Sequence, residues 1–114
     1  MVKRTGSTNE HLKKLIRTLS RDKKPIWKRV AMDLNKPARK RREVNLKRIN
    51  DNTNSGETII VPGKVLGTGR LNHKLTIAAW RFSDSALKKI KQAKGKAISI
   101  KELYDKKKIG RIIG

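Results

Sequence analysis

From Thr58 to Phe82 the chain reads TIIVPGKVLGTGRLNHKLTIAAWRF, and nowhere else do apolar side chains run together without dense charge. Any fold adopted by this chain must bury that stretch. Ile59, Ile60 and Val61 form a short apolar run that reads as a buried strand, and Leu75, Ile77 and Ala79 alternate as a second. Gly63, Gly67 and Gly69 punctuate the interval between them. Glycine reaches positive φ without steric cost, so the backbone there turns tightly or approaches another segment closely. Outside this stretch the pattern is helical or cationic, and those segments either pack on the apolar centre or work outward from it.

Ahead of the centre, two helices are predicted after a basic lead without periodicity at residues 1–6. Ser7 and Glu10 have the S-x-x-E spacing in which each side chain satisfies the other's free backbone N–H. They open a helix over residues 8–20, with Leu12, Leu15, Ile16 and Leu19 on one face. Pro25 suits the first turn of a second helix carrying Ile26, Trp27, Val30, Ala31 and Leu34. Pro37 ends it, because Lys36 before it is pushed out of helical geometry. Lys36 to Arg42 lacks an apolar stripe and reads as an extended or irregular basic arm. Val44 and Leu46 alternate with polar neighbours as a short strand, and the turn formers Asn50 to Gly56 read as a loop.

Beyond the centre, Ser83 caps a helix carrying Ala86, Leu87, Ile90 and Ala93, closed by Gly95. Ala97 and Ile98 give a short strand. Ser99 and Glu102 form a second capping box, opening a short helix through Leu103 and Tyr104. Lys106 to Lys108 stand at its end, where cations suit the helix dipole. The closing GRIIG finds no evident partner in the sequence. No break in composition divides the chain, so one domain over 1–114 is expected: a basic part at 1–48 and an α/β core at 49–114.

The charge decides which partners to consider. Against 9 Asp and Glu stand 31 Lys and Arg, a formal net charge of +22 on 114 residues. Such imbalance repels itself in a compact state, and a polyanion relieves that repulsion while releasing counterions. Nucleic acid is therefore the first partner to consider. An anionic membrane surface would attract the same charge, but no helix pairs a basic face with bulky Trp or Phe, and no apolar run approaches the roughly 20 residues of a span. Cysteine is absent, which excludes disulfides, Cys-based zinc sites and thiol chemistry. The first ten residues lack the apolar core of a secretory signal, so a cytoplasmic location is expected.

Catalysis has no constellation to stand on. Gly63 to Gly69 is not G-x-x-x-x-G-K-[ST], and the GTGRLN that follows puts Asn72 where a dinucleotide fingerprint needs its third Gly. The glycines read instead as tight turns between strands, with Lys64 and Arg70 on those turns free to meet a phosphate. His11 and His73 stand apart from each other and are expected exposed, with no metal spacing. The nine acids form no spaced pair in an apolar setting, and Ser7, Ser83 and Ser99 are explained as caps. No cofactor, metal or small-molecule substrate is expected. The basic run at Lys36, Arg39, Lys40, Arg41 and Arg42 is different, because Arg presents a planar fork that donates two parallel hydrogen bonds to phosphate. Trp27, Trp80, Phe82 and Tyr104 fall at core spacing rather than as base-stacking platforms, so recognition of backbone and shape is expected, as in structured RNA.

GKVLGTGRL at 63–71 and KLTIAAWRFSDSALKKIKQAKG at 74–95 resemble the "eighteen-e" family of large-subunit ribosomal proteins, which is related to bacterial large-subunit protein fifteen. The likeness reaches back through Asn35-Lys36-Pro37 and Arg41 to Leu46, and forward to AISIKELY. One departure is Lys94-Gly95, where such proteins often show Gly-Gly; it changes a helix end. The resemblance implies a compact α/β domain of irregular β-β-α units, preceded by two N-terminal helices and a basic arm. It implies contact with large-subunit ribosomal RNA and neighbouring ribosomal proteins, no enzyme activity and, from the short length, an archaeal member. The residues expected on RNA are Arg4, Lys13, Lys14, Arg17, Lys28, Arg29, Lys36, Arg39, Lys40, Arg41, Arg42, Lys47, Arg48, Lys64 and Arg70. Two rivals remain open: a DNA-compacting protein, which the charge alone permits, and a nucleotide-binding protein using Gly63 to Gly69.

Overall fold

The computed structural model describes residues 2–36 and 42–113, with side chains from Glu10 to Lys36 and from Glu43 to Ile113. The chain divides into two compact units, Met1–Arg41 and Arg42–Gly114. Of the expected basic arm, Arg39, Lys40 and Arg41 lie outside the described residues, as do the side chains of Arg42 and Arg4.

The first unit is a pair of helices, α1 (Val2–Ser20) and α2 (Pro25–Leu34), packed on each other. Leu12, Leu15 and Leu19 of α1 are buried, as are Trp27, Val30, Ala31 and Leu34 of α2. Between the helices Asp22 Oδ1 accepts the Lys24 N–H at 2.8 Å, a side-chain turn that delivers Pro25 to the first helical position, where its missing N–H costs nothing. α2 closes before Pro37 as expected, with the Asn35 N–H on the Ala31 carbonyl at 3.0 Å. The helix start predicted at Ser7 is corrected: α1 already begins at Val2. Lys3 and Arg4 are good helix formers, and each added residue gains a backbone bond once a helix exists, so a capping signal does not bar extension beyond it.

In the second unit the described residues form one five-stranded parallel sheet: β1 (Arg42–Asn45), β2 (Thr58–Leu66), β3 (Thr76–Phe82), β4 (Lys96–Ser99) and β5 (Arg111–Ile112). Three helices connect them: α3 (Leu46–Asn52), α4 (Asp84–Gln92) and α5 (Ile100–Asp105). The order is β1-β2-β3-β4, and β5 joins the same side of β2 as β1. β1 pairs Gly63 to Leu66, whereas β5 pairs Ile59 and Ile60, so the two short strands divide one edge of β2. Ile59, Val61, Val65, Ile77 and Ala79 face Leu46 and Ile49 of α3 and Ala86 and Ile90 of α4 in the main core. α5 packs on β3 and β4 with Ile100 and Leu103 buried.

Four expectations change here. Leu46 begins a helix rather than ending a strand, because the Asn45 side chain accepts the Arg48 N–H at 3.1 Å and so caps α3. The first three residues of the predicted loop are then the end of α3, since Leu46 and Ile49, three residues apart, anchor one buried face that outweighs the turn propensity of Asn50 to Asn52. Gly63 is not a turn but lies inside β2, where Pro62 and Gly63 oppose Trp80 alone and form a bulge. The tail does find a partner: the Ile113 N–H reaches the Ile60 carbonyl at 3.0 Å, and Ile113 is buried.

Parallel strands usually need a crossover of a dozen or more residues, commonly a helix. β2 and β3 are joined only by residues 67–75, and this short connection is held from both sides. The Lys47 N–H donates to the Thr68 carbonyl at 3.1 Å, Asn50 Oδ1 accepts the Asn72 N–H at 2.8 Å, and Thr53 Oγ1 lies 2.8 Å from His73 Nε2. From α4, Lys89 Nζ donates to the carbonyls of Gly67 and Gly69 at 2.5 and 2.9 Å. His73 is thus half-buried and partnered, not solvated as expected, because it follows the crossover down along α3.

Candidate nucleic-acid interface

The apolar stripes that join α1 and α2 leave their other faces to water, and those faces are cationic. Lys13, Lys14 and Arg17 on α1 are exposed between the buried leucines, as are Lys28 and Arg29 on α2. Lys36 is exposed as well, but its Nζ stands 3.4 Å from Asp33, a buried carboxylate of α2. That pair ties Lys36 to its own helix end and lessens its reach for an outside anion.

In the sheet unit two of the predicted residues stand at the C-terminal edge of the strands. Lys47 and Arg48 sit in the first turn of α3, exposed, with Lys47 Nζ 3.0 Å from Asp51. Arg70 is exposed on the neighbouring crossover, beside an open groove of about 360 Å³ lined with Leu71, Asn72, Lys89 and Gln92. Lys64 is on no turn. It lies half-buried in β2 with Glu43 opposite it on β1 and Arg81 opposite it on β3. Arg81 in turn lies 5.9 Å over the Trp80 ring. The structure therefore keeps Lys47 and Arg48 side by side on α3, sets Arg70 beside the last turn of α4 and Lys64 inside the sheet, and keeps Lys13, Lys14, Arg17, Lys28 and Arg29 on the helix pair.

The glycine stretch has no room to cradle a phosphate. A Cβ on Gly67 would stand 2.7 Å from the Ser85 Cβ and 2.8 Å from the Ala86 nitrogen. Gly69 has φ +92°, and its Cβ would fall 2.5 Å from the Lys47 Cβ. With Lys89 on two of its carbonyls, the loop is filled by the protein's own side chains. No local pattern marks Lys89, one cation among many, as structural. Among the described residues no three His, Cys, Asp or Glu side chains group as a metal site, and no helix is long and apolar enough to cross a membrane.

Residues 10–98 match the model of a family described as ribosomal proteins 50S-L15 and 50S-L18e together with a 60S member. The chain is 52% identical over 100 residues to large ribosomal subunit protein eL18 of Sulfurisphaera tokodaii, covering 88% of this chain and 85% of that protein. It is 46% identical over 104 residues to the eL18 of Sulfolobus acidocaldarius, covering 88% of each. With the eL18 of Nanoarchaeum equitans it shares 44% over 110 residues, 95% of this chain and 91% of the relative. A match over most of the chain, to relatives of nearly the same extent, makes this a member of the ribosomal protein family that contains 50S-L15 and 50S-L18e.

Proposed function

We propose that this chain is a structural constituent of the large ribosomal subunit that binds ribosomal RNA through its cationic faces and supports the folded RNA in translation. The observation that carries this reading is the helix pair: Lys13, Lys14, Arg17, Lys28 and Arg29 all project from an apolar-seamed scaffold into solvent. Phosphate contacts of this kind fix position without reading sequence. The aromatic residues support backbone recognition too, since Trp27 is buried and Trp80, Phe82 and Tyr104 are half-buried, leaving no exposed stacking platform among the described residues. Arg4, Lys36, Arg39, Lys40, Arg41, Arg42, Lys47, Arg48, Lys64 and Arg70 are the further RNA contacts of this reading, and neighbouring ribosomal proteins are the further partners.

Changing Arg39, Lys40, Arg41 and Arg42 to Ala tests the arm. Each lost phosphate contact lowers the slope of log affinity against log salt by about 0.7 to 0.9, so with three or four of these residues on phosphate the slope should fall by about 2 to 3.5. Circular dichroism should be unchanged. An unchanged slope would remove these four from the interface. Binding to duplex DNA as tight as to large-subunit RNA at matched salt would favour a DNA-compacting protein instead. A melting temperature raised by ATP, GTP or NAD would revive the nucleotide site that the filled glycine loop argues against.

A further inference from the structure

The N-terminal edge of the sheet carries cations that neither the helix pair nor Lys47 and Arg48 at the opposite edge account for. Each helical crossover returns the chain to that edge, so α4 and α5 end there while β3, β4 and β5 begin there. Lys74 precedes β3, Lys94 and Lys96 bridge α4 to β4, and Lys107 and Lys108 follow α5; all five are exposed. Backbone contacts make the rim continuous. The Lys96 N–H donates to the Leu75 carbonyl at 2.9 Å, the Gly56 N–H to the Lys74 carbonyl at 2.8 Å, and a Cβ on Gly110 would meet the Thr58 carbonyl at 2.8 Å. From β4 to β5 the rim spans three strand spacings, about 15 Å. The nearby Lys101, Lys106 and Arg111 are paired with Asp105, Glu102 and Glu57, but the five have no carboxylate partner among the described residues.

Two of the five also occupy backbone positions that disfavour them. Lys94 has φ +63° and Lys107 φ +57°. Both helices close alike: the Lys94 N–H reaches Lys91 and the Gly95 N–H reaches Ile90, as Lys107 reaches Tyr104 and Lys108 reaches Leu103. The left-handed residue of this closure is usually glycine. Here a lysine holds it twice, and at Lys94 the available glycine sits one residue further on. Strained positions of this kind collect at functional surfaces. Lysines there also reverse the negative potential of two helix C-termini, which would otherwise repel an anion.

We propose that this edge is a second RNA-backbone surface, so that the sheet unit clamps two segments of ribosomal RNA, one at each end of its strands; the proposal rests on the function given above. The edges lie the length of β3 apart, about 20 Å, more than two screening lengths at physiological salt, so the two surfaces act separately. Lysine point charges without exposed aromatic neighbours suit phosphates rather than bases.

Hydroxyl-radical footprinting of large-subunit RNA with the full chain tests this. Wild type should protect two segments attributable to the sheet unit. Replacing Lys74, Lys96 and Lys108 with Gln, which leaves both helix closures untouched, should abolish one and keep the other; Lys47 and Arg48 to Gln should do the reverse. Lys94→Gly and Lys107→Gly should weaken the same rim footprint without lowering the melting temperature, an outcome that a purely structural lysine would not give. A rim variant with every footprint intact overturns the proposal, including one that loses only a neighbouring ribosomal protein on co-sedimentation. A wild-type chain that protects no segment overturns the function proposed above and this proposal with it.

Discussion

The helix pair and the sheet unit use the same residue type in opposite ways. On α1 and α2, Lys13, Lys14, Arg17, Lys28 and Arg29 face water beside an apolar seam. In the sheet unit many are engaged: Lys89 holds two carbonyls of the β2–β3 crossover, Lys47 pairs with Asp51, and Arg111 pairs with Glu57 and also donates to the Asn52 carbonyl. A charge of +22 is therefore not one surface. Its function depends on whether the local backbone leaves carbonyls and carboxylates within reach.

The largest effects should come from the crossover, where the sheet unit has no slack. Gly67→Val and Gly69→Val each drive a side chain into backbone atoms of α4 or α3, and Gly69 has positive φ besides. Each should cost about 3 kcal/mol or more in urea unfolding. Gly56, also at positive φ but with open space around it, should cost only about 1 kcal/mol when changed to Ala. Equal losses at all three positions would show that close packing of the crossover does not matter.

A smaller effect concerns the tail. The Asn54 N–H and the Arg111 guanidinium hold the Glu57 carboxyl below its ordinary range, and burial opposes them in part. A carboxyl with a folded-state pKa below its unfolded value stabilises above the unfolded value, about 4.3, and that contribution is lost as pH falls through the folded one. Melting temperature should therefore drop more steeply below about pH 4.3 in wild type than in Glu57→Gln. Parallel curves would mean that β5 is held by its strand pairing and Ile113 alone.

The smallest effect should be a gain. Lys94→Gly relieves a left-handed lysine at the price of a more flexible unfolded chain, so stability should rise by less than about 1 kcal/mol. A clear loss would mean that the Lys94 side chain stabilises the end of α4.

How much of this was legible follows from what local patterns encode. The seams of α1 and α2, the caps at Ser83 and Ser99 and the strands in the central stretch are short-range signals, and each appears where expected; on α4 Ala86 and Ile90 are buried as expected, whereas Leu87 is exposed. The misses depend on contacts distant in sequence. Arg111 and Ile112 become a strand only because β2 leaves half an edge open beside β1, and His73 finds Thr53 only because the crossover follows α3. The departure at Lys94 was visible, but its positive φ falls one residue before the glycine expected to close the helix. Of the candidate interface, the exposed cations of α1 and α2 could be read from periodicity, whereas topology alone gathers Lys74, Lys94, Lys96, Lys107 and Lys108 at one edge.

One paired measurement tests most directly the claim that outward cations serve RNA and inward ones serve the fold. The first variant replaces Lys13, Lys14, Arg17, Lys28 and Arg29 with Gln, and the second is Lys89→Met; thermal melting and a salt titration of large-subunit RNA affinity are run on both. The first should keep its melting temperature within a few degrees while its salt slope falls by about 3.5 to 4.5. The second should lose about 1 to 3 kcal/mol of stability, because it strips a charged donor from two carbonyls, and keep its slope within about 1 unit. A helix-pair variant that melts early with its slope intact, or a Lys89 variant of full stability, would contradict the division.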